Sequence, residues 1–256
     1  MAHLIGNDII LDFPSVPSER SLRKELFKAG VKTLSSRLGG DRINADEKRH
    51  FRALNNLSFT IKDGDRIGLI GHNGAGKSTF LKLLTGSYFP TQGTLDRSGK
   101  VMPLLNLGVG MNSDFSGLEN ITLCGLYLGI KPAVMRAKVE EIAEFTELGQ
   151  FLSMPVRTYS AGMLLRLTFA IATCSDPEIL LLDEVFGAGD ARFYEKAKAR
   201  MEKTMSNAKI LLLATHSPSL ISEYCNRIFV LDRGEIAFDG DVEEGNEFYA
   251  KLVAEQ

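Results

Sequence analysis

The run from Gly71 to Thr79 reads GHNGAGKST, a glycine-rich turn that ends in a lysine and two hydroxyls. Its spacing fits G-x-x-x-x-G-K-[ST], the pattern of a loop that cradles phosphates. It follows the strand-like RIGLI at 66–70 and precedes the helical FLKLLTG, the context such a loop requires. Gly74 and Gly76 let successive backbone N–H groups turn inward around phosphate oxygens, and the helix adds the positive end of its dipole. Gly71, His72, Asn73 and Ala75 complete the set of ligand-binding positions in this loop. Lys77 is placed to neutralise β- and γ-phosphates, Ser78 offers a hydroxyl of the kind that ligates Mg²⁺, and Thr79 can donate to an α-phosphate.

A second element lies about a hundred residues downstream, where ILLLDE (179–184) ends an apolar run in two carboxylates. At the C-terminal end of a parallel strand, Asp183 can hold Mg²⁺ through water while Glu184 faces a γ-phosphate as general base. A third run, KILLLAT, leads to His216, whose imidazole can sense or orient the same phosphate. By itself, a histidine after a strand is more often a packed or capping residue.

These groups need parallel strands to bring them together. The apolar runs 179–182 and 210–214 read as strands buried on both faces, and their alternation with amphipathic helices predicts an α/β fold with a parallel sheet. Asn7 to Asp12 reads as an edge strand. From Ser15 to Arg52 there is no strand pattern, and a pair of short strands follows through 57–70. Residues 107–175 are mostly helical, interrupted at Gly117, Gly125, Gly129, Pro132 and Pro155, which reads as a helical insertion into the sheet domain. Residues 19–52 carry ten Lys or Arg against five Asp or Glu, a surplus of five positive charges in a chain of net charge −2. A basic amphipathic helix there suits a membrane surface, an acidic partner or a cap over a core edge.

At 256 residues with 44% hydrophobic and 24% charged, the composition is that of a globular protein with a sizeable core. The near-balance of charge gives no whole-chain reason to expect nucleic acid. No apolar run approaches the roughly 18 residues of a membrane span, and the start MAHLIGNDII lacks a signal peptide's basic head, so a cytoplasmic chain is expected. Cys124, Cys174 and Cys225, odd in number and set among apolar neighbours, fit reduced core thiols.

Together these motifs resemble the ATP-binding subunit of ABC transporters over nearly the whole chain. The resemblance implies a single nucleotide-binding domain over 1–256: a P-loop NTPase core with a parallel sheet, an antiparallel β subdomain and a helical subdomain at 107–175. YSAGM at 159–163 stands where the family has its signature motif, departing from LSGGQ but keeping Ser160 and Gly162. The family then implies a head-to-tail homodimer in which Ser160 and Gly162 of one copy complete the ATP and Mg²⁺ site of the other. The same residues also suit an ordinary helix N-cap. Asp190 of GAGD matches the acidic residue of the family's interface loop, with a plain turn as the alternative. The family's usual glutamine is missing; Asn106 stands beside that position and can supply an amide to Mg²⁺ and water. Phe13 matches the adenine-stacking aromatic, with His50 and Phe51 as competitors.

The basic insertion, LLNLGVGMNSDFSGLENI, YSAGM and DEVFGAGD look like the branch that exports cell-surface polysaccharides: O-antigen, capsule or teichoic acid. In that branch the insertion, matched here by residues 19–38, forms a gate helix near the entrance for the lipid-linked glycan. The resemblance implies two copies of this chain at the cytoplasmic face of the membrane, bound to two copies of a separate permease through the helical region. It also implies that the carbohydrate-binding domain of some relatives is absent. A lipid or drug exporter would share every catalytic residue. A non-transport ABC ATPase usually shows coiled-coil, zinc or tandem segments, and a GTPase needs an N-K-x-D motif; neither kind of signal is present.

Overall fold

The computed structural model describes residues 1–14, 50–105, 108–183 and 191–254. The basic segment 19–38, Asn106, Glu184 and Asp190 lie outside the described residues. In chain order the first elements are β1 (His3–Pro14), β2 (His50–Lys62), β3 (Arg66–Ile70), α1 (Lys77–Thr85), β4 (Gln92–Ser98) and β5 (Val101–Leu104). Helices α2 (Gly117–Tyr127), α3 (Pro132–Thr146) and α4 (Ala161–Ala172) come next. The rest are β6 (Ile179–Asp183), α5 (Ala191–Asn207), β7 (Ile210–Ala214), α6 (Pro218–Tyr224), β8 (Arg227–Asp232), β9 (Glu235–Gly240) and α7 (Val242–Ala254).

The main sheet has six strands in the order β5-β6-β7-β3-β8-β9, parallel except for the β8–β9 hairpin. Its two most apolar strands, β6 and β7, are interior and their leucines are buried on both faces. Successive side chains alternate between two cores, as the pleat requires. Leu180, Leu182, Leu211 and Leu213 join Ile121, Met135 and Leu167 from the helices. Ile179, Leu181, Ile210 and Leu212 join Phe80 and Leu84 of α1 with Leu4 and Leu57 of the smaller sheet. In register, Leu69 stands opposite Ala214, Ala214 opposite Asp183, and Ile70 opposite Val230. β6, β7, β3 and β8 therefore end at one level, and whatever follows them is gathered there.

The smaller sheet is antiparallel in the order β2-β1-β4, so β1 is its central strand and not the edge the sequence suggested. The physical reason is β4, QGTLDRS, in which only Leu95 is half-buried and the rest exposed, so it carries no apolar alternation. β2 also starts earlier than its apolar pattern, at His50, because ladder pairing of Pro14 with His50 and Phe13 with Phe51 supports exposed residues that the core does not.

In the helical region Pro132 opens α3 and Gly117 opens α2, as punctuation should. Gly125 does not interrupt; it lies inside α2, where a Cβ would come within 2.2 Å of Met135 Cγ, so its small size lets α3 approach. Ser116 caps α2 in a capping box with Glu119, whose carboxyl the Ser116 contacts hold below the usual carboxylate range. Cys124 and Cys174 are buried and Cys225 is half-buried; burial pushes the Cys124 thiol up to about 11 and that of Cys225 to about 12. Asn120, fully buried, donates to the carbonyls of Asn112 (2.9 Å), Phe115 (3.2 Å) and Ser116 (3.0 Å) and accepts from the Asn112 N–H (2.8 Å). That one side chain ties the loop before α2 to the helix. Asn120→Ala is expected to cost about 2 kcal/mol, because it orphans buried backbone groups. The check is a lower urea midpoint at unchanged slope; an unchanged midpoint would mean that the loop holds itself.

Candidate functional site

The level strand ends open into a cavity of about 760 Å³ walled by the 71–79 loop, Phe51, Arg52, Asp183, His216 and Arg233. The loop turns through left-handed backbone at Gly74 (φ 86°) and Gly76 (φ 108°), and Gly76 is the N-cap of α1. Asn73, Gly74 and Ser78 are exposed, His72 and Thr79 half-buried, and Ala75 is buried and donates its N–H to the His72 carbonyl (3.1 Å). Lys77 Nζ donates to the carbonyls of Gly71 (2.6 Å) and His72 (3.2 Å), which holds its charge over the loop.

The loop is also braced from outside. The Gly234 N–H, in the β8–β9 turn, donates to the Ala75 carbonyl (2.9 Å), and the Asn55 N–H of β2 donates to the Gly234 carbonyl (2.8 Å). Gly234 has φ 81°, and a Cβ there would stand 2.7 Å from the Ala53 carbonyl oxygen. Both sheets thus meet the phosphate loop through one glycine. His72 adds a side-chain brace, with Nε2 at 2.9 Å from Asp232 Oδ1.

Asp183 emerges half-buried from β6 and accepts from Ser78 Oγ at 3.2 Å, joining the two sequence motifs. Two hard oxygen donors beside a phosphate loop suit Mg²⁺, which commonly takes one or two protein ligands and fills its shell with phosphate and water. Among the described residues there is no cluster of three or more His, Cys, Asp or Glu side chains of the kind that holds a metal ion. His216 is exposed on the cavity wall after β7.

Phe13 does not line this cavity. It is half-buried and packs edge-on against Tyr88 with centroids 5.1 Å apart. Its cross-strand neighbour Phe51 does line it and is 63% exposed. The adjoining Arg52 grips Asp12 through Nε (2.9 Å) and Nη2 (3.2 Å). The guanidinium holds the Asp12 carboxyl below its usual range, so this grip persists at neutral pH and is lost only as pH falls through that lowered value. Ser160 caps α4 by accepting from the Met163 N–H (3.2 Å), and Gly162 is exposed, a Cβ there meeting Ser160 Oγ at 4.0 Å. Neither belongs to the wall of the phosphate cavity.

Residues 54–187 match the family described as ABC transporter. The chain belongs to that family. Among relatives of this ABC chain, an O-antigen export system ATP-binding protein, RfbE, from Yersinia enterocolitica is 46% identical over 92% of the chain and 97% of the relative. One from Myxococcus xanthus is 40% identical over 92% of the chain but only 54% of the relative, and a teichoic acids export ATP-binding protein from Lactococcus lactis is 38% identical over 82% of the chain and 45% of the relative. Among solved structures, a dimeric ATP-binding cassette in a post-hydrolysis state with ADP and Pi shares the fold, with a TM-score of 0.63, 18% identity, and coverage of 93% of this chain and 98% of that one.

The sequence reading did not single out Arg52, Asp232, Arg233 or Gly234 as parts of this ABC site. A signal was there for the last one: the glycine of LDRGE, after the apolar run IFVL, is a turn residue, although nothing in it says what the turn touches. Gly234→Ala is expected to destabilise the ABC fold by about 1–3 kcal/mol and to weaken ATP binding, through left-handed strain and a clash with β2. Thermal unfolding and equilibrium dialysis would check it; a variant with wild-type values in both would show that the brace is dispensable.

Proposed function

We propose that this chain hydrolyses ATP to drive an exporter of cell-surface polysaccharide of the O-antigen or teichoic acid kind. One observation carries the chemistry: level strand ends bring Lys77, Ser78, Asp183 and His216 around a single cavity. The export class is supported by relatives whose names specify it, above all one matched along nearly the full length of both chains.

In this reading the N–H groups of Gly71 to Gly76 and Lys77 bind the β- and γ-phosphates, and Thr79 takes the α-phosphate. Ser78 and Asp183 would hold Mg²⁺, with Asn106 as a further amide donor. Bound there, the ion would neutralise charge on the β- and γ-oxygens. Glu184, next in sequence to Asp183, takes the proton of the attacking water as the terminal phosphoryl group leaves ADP, and His216 orients that group. Phe51 stacks on adenine in preference to Phe13, since it is the aromatic on the cavity wall.

Ser160 and Gly162 lie at an exposed helix N-terminus, suited to closing on the γ-phosphate of a second copy arranged head to tail, with Asp190 along the same interface. Hydrolysis would remove that bridge and reopen the pair. No helix among the described residues is long and apolar enough to cross a membrane. The work therefore passes to a separate permease, in two copies, on whose cytoplasmic side the ATPase pair sits. An apolar cleft of about 590 Å³ between the main sheet and the helical region, walled by Pro103, Leu105, Val109, Tyr127 and Leu128, supports docking of the permease there.

Glu184→Gln should slow hydrolysis by roughly two to four powers of ten while ATP still binds, as expected for loss of a general base. Near-normal turnover would remove Glu184 from that role. Phe51→Ala should raise the Kd for ATP about tenfold and Phe13→Ala should not, a split that isothermal titration would read. For the export reading, tagged Glu184→Gln protein drawn from solubilised membranes with ATP should bring down a multi-span subunit in equal amount. Recovery of soluble or nucleic-acid partners alone would overturn it.

A further inference from the structure

We infer that Tyr159 is a positioning residue whose hydroxyl pins the turn presenting Ser160 and Gly162, an inference that rests on the reading that these two close on the γ-phosphate of a second copy. LSGGQ has a leucine at this place, a side chain without hydrogen-bonding groups, where YSAGM has a tyrosine. The Tyr159 hydroxyl donates to the Phe151 carbonyl at 2.7 Å, and its oxygen accepts the backbone N–H of Gly117. Gly117 is the first residue of α2, where helix N–H groups have no partner within the helix, so the phenol supplies the acceptor that the helix lacks. A Cβ on Gly117 would collide with the hydroxyl, so a glycine admits it. Burial holds the phenol above its ordinary range despite the Gly117 contact, and at neutral pH it remains a donor.

The chain leading to Ser160 is laced to the loop before α2. The Val156 N–H donates to the Phe115 carbonyl (2.9 Å) and the Arg157 N–H to the Ser113 carbonyl (2.9 Å), while the Arg157 guanidinium pairs with Asp114. Pro155 and Ser116 form a β-bridge beside them. Tyr159 is the last tie in this series, and it adds Phe151 and the start of α2 to the same knot. Ser160 follows it directly and is exposed. Among the described residues, the hydrogen bonds of Ser160 stay within its own helix: Oγ accepts from the Met163 N–H (3.2 Å) and the carbonyl from the Leu164 N–H (3.0 Å). Its place relative to the rest of the helical region is therefore inherited from Tyr159.

Tyr159 is not on the wall of its own chain's phosphate cavity. The hydroxyl thus acts on the closing of two copies and leaves the capture of ATP by one copy alone. Tyr159→Phe deletes the hydroxyl, keeps the ring that packs on the helical core, and orphans the Gly117 N–H and the Phe151 carbonyl.

The test uses the full chain. Without nucleotide, hydrogen exchange at the Met163 and Leu164 amides, which bond to Ser160, should run about tenfold faster in Tyr159→Phe, with the amides of β6 and β7 unmoved. In the Glu184→Gln background, ATP-driven pairing read by sedimentation should weaken about tenfold on Tyr159→Phe, while the Kd of the single chain for ATP stays the same. The inference falls if the Met163 and Leu164 amides do not respond, or if pairing is unchanged. It falls equally if the faster exchange spreads evenly into the sheet or if the Kd for ATP rises as far as pairing weakens, since Tyr159 would then only stabilise the fold. Should Tyr159→Phe not fold, Tyr159→Leu, with the residue of LSGGQ, is measured in its place. Should the Glu184→Gln parent not pair with ATP, the head-to-tail reading fails, while the exchange still decides whether Tyr159 holds Ser160.

Discussion

A strand covered on both faces can carry a charge only where it emerges, because an unpaired ion in the interior costs several kcal/mol. β6 and β7 are such strands, and they obey the constraint closely: β6 is buried up to its last residue, the half-buried Asp183, and β7 is buried throughout, followed by buried Thr215 and then exposed His216. Parallel pairing sets those ends side by side with the end of β3, where the glycine loop begins. The polar cavity is thus a product of the same rule that keeps the cores apolar. Both cores are needed, since each strand divides its side chains between the helical region and α1.

The loop cannot hold its own shape on glycine alone. Residues free to adopt left-handed backbone are equally free to leave it, and the cost of ordering them must be met by contacts elsewhere. Here the contacts come from the β8–β9 turn, which reaches the loop at Ala75 and His72 and reaches β2 at Asn55. The smaller sheet is fastened to the same turn, and it contributes Phe51 and Arg52 to the cavity. The glycine loop and the Phe51–Arg52 wall of the candidate site are held together by that hairpin.

The parts of this arrangement that could be read from sequence were those with strong local rules. A glycine loop between strand and helix has a fixed spacing, and an acid at the end of ILLL stands out against its neighbours. Parallel burial was likewise visible in two unbroken apolar runs. The centre position of β1 was not, because its second partner β4 is polar and exposed and is held by ladder hydrogen bonds, which leave no side-chain pattern. Gly125 misled for a related reason: a glycine that ends a helix and one that admits a neighbouring methionine look alike in sequence. Phe13 and Phe51 face each other across one ladder, and only the surrounding walls distinguish the ring that packs on Tyr88 from the ring that faces the cavity. Asp232 and Gly234 act across more than 150 residues of chain, as in the contact of His72 with Asp232, and no local spacing encodes that.

Pro14 and His50 are partners in the β1–β2 ladder, so the chain leaves the smaller sheet and re-enters it at adjacent points. Closure entropy grows slowly with length, about 0.6 kcal/mol for each doubling of a connection whose ends are already fixed. The junction therefore behaves as a splice point. A longer or shorter connection between these two residues would cost the sheets little. The address matters, because the residue after His50 already belongs to the wall of the candidate site's cavity. Evolution can attach new apparatus there without rebuilding the engine.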